Sequence, residues 1–221
     1  MTDSLYAKTS NRPGLRANNE SWAIGLCKQI PLYGIVSMIV IAGESKFMFE
    51  RLLPHMRVNT IYDIDLQALK KRGIRGIITD LDNTLVGAKE PLATPELVRW
   101  LDDVRDSGFK VVIVSNNNRT RVSKFAEPLN LTYIHAARKP ANKAFRKALS
   151  LLELPAEQTV VIGDQMMTDV LGGNRMGLQT ILVNPVSPGD EGVMTRVNRR
   201  LEKIALARLR KKGLWPKEDS K

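Results

Sequence analysis

Cysteine and histidine are almost missing from this chain of 221 residues, which holds one cysteine, Cys27, and two histidines, His55 and His135. A single cysteine excludes an internal disulfide and a zinc site built on thiolates. So few histidines argue against a catalytic triad centred on histidine and against a His-rich metal centre. Aromatic residues make up 5% of the chain and do not interleave with basic ones, so the stacking platforms of RNA-binding surfaces are not indicated. Acidic residues are in deficit, 23 against 34 Lys and Arg, for a formal net charge of +11. Such a surface favours anionic partners, namely phosphorylated substrates, nucleic acid or an anionic membrane face, or else serves solubility. A hydrophobic content of 43% with 26% charged residues suits a globular fold and excludes wholesale disorder.

Long apolar runs are scarce too. The most apolar stretch, IPLYGIVSMIVIAG at 30–43, is shorter than the roughly 20 residues a spanning helix needs. It opens near Pro31, contains Gly34 and follows the polar, Asn- and Ser-rich segment 1–21, which has the composition of a disordered tail. Three readings of residues 1–47 stay open: a membrane anchor, a secretory signal, or an extension that is not native because translation starts at Met48. The last rests on the amphipathic start MFERLLPHMRVNTIYDI and on Gly43–Glu44, which purine-rich codons resembling a ribosome-binding site can encode. The expected organisation is an N-terminal extension over 1–47 and one domain over 48–221, cytoplasmic or peripheral at a membrane.

From residue 75 the pattern becomes regular. Apolar runs RGIITD (75–80), FKVVIVS (109–115), TYIHAA (132–137), QTVVIGD (158–164) and LQTILVN (178–184) read as strands. Between them lie helical patterns: TPELVRWLDDVRDSG (94–108) with Thr94 as N-cap, Pro95 at N1 and Gly108 as the stop; 119–126 capped by Asn118; PANKAFRKALSLLEL (140–154), opened by Pro140, with Ala144, Ala148, Leu151 and Leu152 on one face; and a short helix over 167–175. Strands of near-continuous Val and Ile alternating with helices predict an α/β fold, a parallel sheet covered by helices on both faces. Ligands of such sheets sit at the carboxyl ends of the strands.

The polar residues fall at those ends. In D80-L81-D82-N83-T84 two carboxylates stand two residues apart beyond a strand. Two acids held close need a shared proton or a divalent cation between them. One can attack phosphorus to give an aspartyl phosphate while the other protonates the leaving oxygen and then activates water. Ser115, Asn116 and Asn117 follow the next strand and can donate to phosphoryl oxygens, or simply cap a helix. Lys139 can offset the charge of a phosphate and of an attacking carboxylate, or be a solvated surface lysine. Asp164 and Asp169, in GDQMMTD, are hard oxygen ligands suited to Mg2+, although Thr168 or Asp169 can also cap the following helix.

The ordered set DxDxT, strand-end Ser, Lys before a helix and GDxxxxD resembles the four motifs of the haloacid dehalogenase (HAD) superfamily of phosphohydrolases. FERLLPHMRVNTIYDIDLQALKKRGIRGIITDLDNTLV, RKPANKAF and GDQMMTDVLGGNRMG more closely resemble the YqeG family of HAD subfamily IIIA, related to phosphatidylglycerophosphate phosphatases. The resemblance implies a Rossmann-like HAD fold and a Mg2+-dependent phosphomonoester hydrolase. It implies Asp80 as nucleophile and metal ligand, and Asp82 as general acid/base with its backbone carbonyl on the metal. Thr84, Ser115 and Asn116 are then phosphate-site residues, Lys139 a catalytic cation, and Asp164 and Asp169 the remaining metal ligands.

The spacings Asp82 to Ser115 and Ser115 to Lys139 leave no room for a cap domain, so an open site is expected, accessible to a lipid headgroup or a macromolecule. Residues 194–212, MTRVNRRLEKIALARLRKK, read as a basic amphipathic helix with Val197, Leu201, Ile204, Ala205 and Leu209 on its apolar face, set either on an anionic membrane or against the core. Phosphatidylglycerophosphate is the leading substrate on this reading. The competing one is a non-catalytic protein that binds RNA or ribosomes through its basic surface.

Overall fold

Six short strands carry the chain from one edge of a parallel sheet to the other. The structure, a computed structural model, describes residues 50–189 and 193–215. The readings of the N-terminal extension lie outside these residues. The strands are β1 (Met56–Arg57), β2 (Gly76–Thr79), β3 (Lys110–Val114), β4 (Thr132–Ile134), β5 (Thr159–Gly163) and β6 (Gln179–Leu182), in the spatial order β1-β6-β5-β2-β3-β4. Every pairing is parallel. The helices are α1 (Leu66–Lys71), α2 (Pro95–Asp106), α3 (Arg119–Ala126), α4 (Asn142–Leu152), α5 (Leu171–Arg175) and α6 (Val193–Lys211), with a single π-turn, Met166–Val170, leading into α5.

Period-two alternation sorts the strand residues onto two faces. Ile77, Ile113, Val160 and Ile162 join α1, α2 and α3 in one apolar cluster, through Leu69, Leu97, Leu101 and Phe125. Ile78, Val112, Val114 and Val161 join α4 in the other, through Ala144, Phe145, Ala148 and Leu152. Each of these side chains is removed from water almost completely, a gain of about 1.5–3 kcal/mol for a large aliphatic or aromatic one. Helix α2 starts as expected: the Thr94 side chain accepts from Leu97 N–H, Pro95 stands at the first helical position, and Gly108 follows with φ +82. Asn118 likewise caps α3 by accepting from Arg121 N–H.

Three local expectations need correction, and one strand was not foreseen. The strand expected over 132–137 stops at Ile134, because the chain turns at Ala136, whose φ is 46. Helix α4 starts at Asn142 after the N-cap Ala141, not at Pro140. Leu151, expected on its buried face, is 45% exposed, and Phe145 fills the core position instead. Strand β1 has two residues, too few for any periodicity to show, yet it adds an edge to the sheet through His55 N–H to Thr180 O at 3.0 Å and Val58 N–H to Leu182 O at 3.1 Å.

The basic helix docks on the domain. Ala205 and Leu209 are buried, Val197 and Leu201 are half-buried, and Ile204, assigned to the apolar face, is 52% exposed. Glu202, not Ile204, points inward and accepts from Met167 N–H at 3.2 Å. Among the described residues no helix is long and apolar enough to cross a membrane.

Candidate functional site

Strand order reverses at β2, whose neighbours are β3 on one side and β5 on the other. This is the switch point at which open α/β sheets place ligands. Asp80 begins the loop after β2, and its N–H bonds Ile162 O at 2.9 Å, which fixes it level with the end of β5. The loop then folds on itself. Leu81, Leu85 and Val86 are buried, and Asn83 adopts φ 65, a left-handed conformation that asparagine tolerates better than most residues. Asn83 N–H bonds Val86 O at 2.7 Å, and its carbonyl accepts from Val186 N–H at 2.9 Å, tying the loop to the segment after β6.

Three carboxylates from two strand ends converge here. Asp80, Asp164 and Asp169 are all buried, and each offers an oxygen within 4.8 Å of the others. Two cations oppose them. Lys139 Nζ lies 2.8 Å from Asp80 Oδ1 and 2.7 Å from Asp169 Oδ1. Arg199, from α6, pairs through Nη2 with Asp164 Oδ2 and donates through Nη1 to the Asp164 backbone oxygen at 2.6 Å. Burial pushes the Asp80 carboxyl up to about 6 against the opposing pull of Lys139, with repulsion from Asp169 adding to the rise. Burial and the Asp80 charge raise Asp164 well above the usual carboxylate range, Arg199 only partly offsetting them. For Lys139 burial favours the neutral amine, but Asp169 and Asp80 together win and raise its pKa, so it stays an ammonium.

Each member is held by a further contact. Lys139 N–H donates to Asn116 Oδ1 at 2.6 Å, and Asn116 Nδ2 returns a longer bond of 3.4 Å to Lys139 O. Thr84 Oγ1 donates to Asp164 Oδ1 at 3.3 Å. Asp169 Oδ2 accepts from Gln165 N–H at 3.2 Å, across the π-turn. Gly163 makes room for that carboxylate, since a Cβ there would overlap Asp169. Ser115 Oγ accepts from Asn117 N–H at 3.1 Å, which leaves its own proton for a ligand.

These groups open into a cleft of about 290 Å3, lined by Asp80, Asp82, Ser115, Asn116, Lys139, Gln165 and Thr168 among others, with Thr195 of α6 on its wall. A larger hollow of about 470 Å3, between Asn59, Tyr62, Thr94 and Asn184, contains none of the clustered carboxylates. Asp82 stands apart from the three buried acids. Its Oδ1 takes Arg121 Nε at 3.0 Å and Nη2 at 2.9 Å, and its Oδ2 takes Asn117 Nδ2 at 3.0 Å.

Sequence reasoning thus placed Asp80, Asp82, Ser115, Asn116 and Lys139 in one cleft, with Asp164 and Asp169 beneath it. Two assignments change in detail. Thr84, expected at the phosphate, does not line the cleft and spends its hydroxyl on Asp164. Neither Thr168 nor Asp169 caps the short helix from outside, since both lie within the π-turn. Two residues were missed, Arg121 and Arg199, because each reads in sequence as one more cation on an exposed helix. For Arg199 there was a signal. Asn198 and Glu202 fall on the stripe that continues through Ala205 and Leu209, and polar residues on a buried stripe need partners. Asn198 finds Gln165 Oε1 at 3.2 Å and Glu202 finds Arg199 at 3.1 Å.

Comparison with known proteins follows the same lines. A family described as HAD-hydrolase-like matches residues 136–185. The chain is 52% identical to a probable phosphatase, YqeG, of Bacillus subtilis over 161 residues, covering 73% of this chain and 93% of that one. It is 28% identical to phosphatidylglycerophosphate phosphatase 1 of Arabidopsis thaliana over 225 residues, covering 95% of this chain and 63% of that one. Among solved structures, the cobalt-bound deoxy-D-mannose-octulosonate 8-phosphate phosphatase of Haemophilus influenzae aligns with a TM-score of 0.41 at 18% identity, covering 52% of this chain and 70% of that one.

Proposed function

Because the chain belongs to the YqeG family of HAD-type phosphatases, we propose that it hydrolyses a phosphomonoester through an aspartyl phosphate on Asp80, with Mg2+ as the cation of the acidic cluster. The observation that carries this reading is the position of Asp80. It is a buried carboxylate at the floor of an open cleft, 2.8 Å from an ammonium and within reach of two further acids.

The chemistry follows from the residues. Asp80 attacks phosphorus, the bond from phosphorus to the leaving oxygen breaks, and Asp82 supplies that oxygen with a proton. Asp82 then takes a proton from water as the water attacks the aspartyl phosphate, which frees inorganic phosphate and returns Asp80 to its carboxylate. Lys139 and Ser115 stabilise the charge on the transferring group. Asp80, Asp164 and Asp169 would hold a hard divalent ion, and the resemblance adds the backbone carbonyl of Asp82 to them. Such an ion would neutralise the cluster and draw charge from the phosphoryl oxygens. Asp82 sits at the rim, where Arg121 and Asn117 aim its carboxylate.

The favoured substrate is phosphatidylglycerophosphate. Its support is the similarity to the Arabidopsis enzyme, the short segments around the cleft, and the outward face of α6, where Arg196, Arg200, Lys203, Arg208 and Lys211 are exposed beside Ile204. That face suits an anionic bilayer. The RNA- or ribosome-binding alternative is disfavoured, because it gives the buried acids no role. The test is hydrolysis of an aryl phosphate with Mg2+, followed by phosphatidylglycerophosphate in mixed micelles beside a panel of soluble phosphates. A higher kcat/KM on the lipid is expected, and equal rates on the soluble esters would remove it as the substrate.

Metal addition has a signed pH dependence. The raised carboxyl of Asp80 means that the metal-free folded state takes up a proton the unfolded state does not hold between about pH 4 and 6. That contribution to stability is fully present below pH 3.8 and is lost as pH rises through about 6. His55, whose pKa is lowered by burial and by Arg72, acts in the opposite sense and trims the effect at the acid end. A divalent ion competes with the proton, so MgCl2 should raise Tm more at pH 8 than at pH 5. At a hundredfold excess over Kd the gain is about 2.7 kcal/mol, or roughly 5–10 °C. Asp164→Asn should abolish most of it. An equal shift at both pH values would argue that the ion binds elsewhere.

A further inference from the structure

The hydroxyl of Thr168 has no role in the mechanism above, yet its surroundings ask for one. Thr168 is 5% exposed and lines the cleft with Asp80, Ser115 and Lys139. Its Oγ1 is buried and has no hydrogen-bond partner among the described residues. The other buried threonines all have one: Thr79 donates to Asp80 O, Thr84 to Asp164, Thr159 to Pro155 O and Thr180 to Asn174. A buried hydroxyl is rarely left unpaired, because its desolvation is then uncompensated. The acceptors next to it in the chain are engaged, since Asp169 Oδ1 takes Lys139 Nζ and Oδ2 takes Gln165 N–H. The Thr168 proton is therefore available to an oxygen that enters the cleft.

We propose that Thr168 is a phosphoryl-binding residue, donating its hydroxyl proton to a non-bridging oxygen of the group that Asp80 attacks. The inference rests on the phosphatase reading of the cleft and deepens it. Ser115 comes from the end of β3, Lys139 from the segment between β4 and α4, and Thr168 from the π-turn after β5. Three donors from three separate walls suit the three equatorial oxygens of a phosphoryl group in flight, where charge is spread over all of them. Motif matching passes over Thr168 because it falls among the unspecified positions of GDxxxxD, between Asp164 and Asp169.

The test compares Thr168→Val, which keeps the shape and removes the hydroxyl, with Thr168→Ser, which keeps the hydroxyl. Inorganic phosphate and orthovanadate serve as competitive inhibitors of aryl phosphate hydrolysis at saturating Mg2+, alongside thermal melts and Mg2+ titrations. Thr168→Val should weaken both inhibitors by about 10-fold or more, as expected for a hydrogen bond to a charged group. Thr168→Ser should stay within about threefold of the wild type. Since the hydroxyl bonds none of the described residues, Thr168→Val should melt no lower than the wild type. Unchanged inhibition in Thr168→Val would overturn the proposal and leave the hydroxyl to a bound water. So would a loss confined to Mg2+ affinity, or one matched by a fall in Tm. A wild type that hydrolyses aryl phosphates while Thr168→Val is inhibited equally well overturns this inference alone. A wild type that neither turns over nor is protected by vanadate takes the phosphatase reading down with it.

Discussion

Asp80→Asn should lower kcat by roughly 10^4-fold or more while leaving the protein folded. An amide oxygen is a far weaker nucleophile than a carboxylate and cannot form the acyl phosphate. The substitution is close to isosteric, and the bond from the Asp80 N–H to Ile162 O is made by the backbone, so it survives. It also removes one negative charge from a cluster of three buried acids whose desolvation already raises Asp80 to about 6. The metal-free variant should therefore melt no lower than the wild type at pH 7.5, and its Tm should depend less on pH between 4 and 6. Steady-state kinetics with a thermal melt on the same sample check both parts. Turnover near the wild-type level would remove Asp80 as the nucleophile, and a collapsed melt would assign it a structural role.

Lys139→Met should cost both stability and catalysis. The lysine side chain is 2% exposed and ion-pairs with Asp80 and Asp169. Burying such a cluster is close to break-even, but removing one partner strands the others, at about 3–5 kcal/mol. Against a total stability of about 5–15 kcal/mol this is a large share. For a domain of this size it corresponds to a fall in Tm of roughly 6–20 °C. The rate should drop by about 10^2–10^3, as for loss of one donor to a developing oxyanion. The stability loss should shrink at pH 5, where Asp80 can accept a proton and cease to be an unpaired charge, and Mg2+ should restore part of it at pH 7.5. Chemical denaturation at the two pH values measures this. Equal stability of the variant and the wild type at pH 7.5 would show that Lys139 is not a structural counter-charge.

Much of this site was legible because a parallel sheet writes its active site at predictable places. Asp80, Ser115 and Asp164 each end a run of Val and Ile, and the switch point brings those three ends together. Lys139 was legible only through its order among the motifs, since the residues around it form an irregular turn that no periodicity describes, and the start of α4 was misplaced for the same reason. Leu151 reads as a core residue because it lies at one margin of the helix face, about 120° around the axis from Phe145, and it is Phe145 at the other margin that sits with Ala144, Ala148 and Leu152. Arg121 and Arg199 were hidden by their chemistry. A guanidinium on a solvated face and one reaching into a cleft have the same letter in the sequence. The distinction lies in the tertiary partner, Asp82 for one and Asp164 for the other.

The contact between Arg199 and Asp164 also sets an order in time. Arg199 lies later in the chain than every residue that lines the cleft, 35 positions beyond its partner. During synthesis Asp80, Asp164 and Asp169 leave the ribosome before it, with Lys139 alone to balance them. β6 ends at Leu182, before Arg199 is made, so chain order allows a stage in which every strand has been synthesised and one acid still lacks its counter-charge. Synthesis of the strands and completion of the charge balance in the cleft are thus separated along the chain.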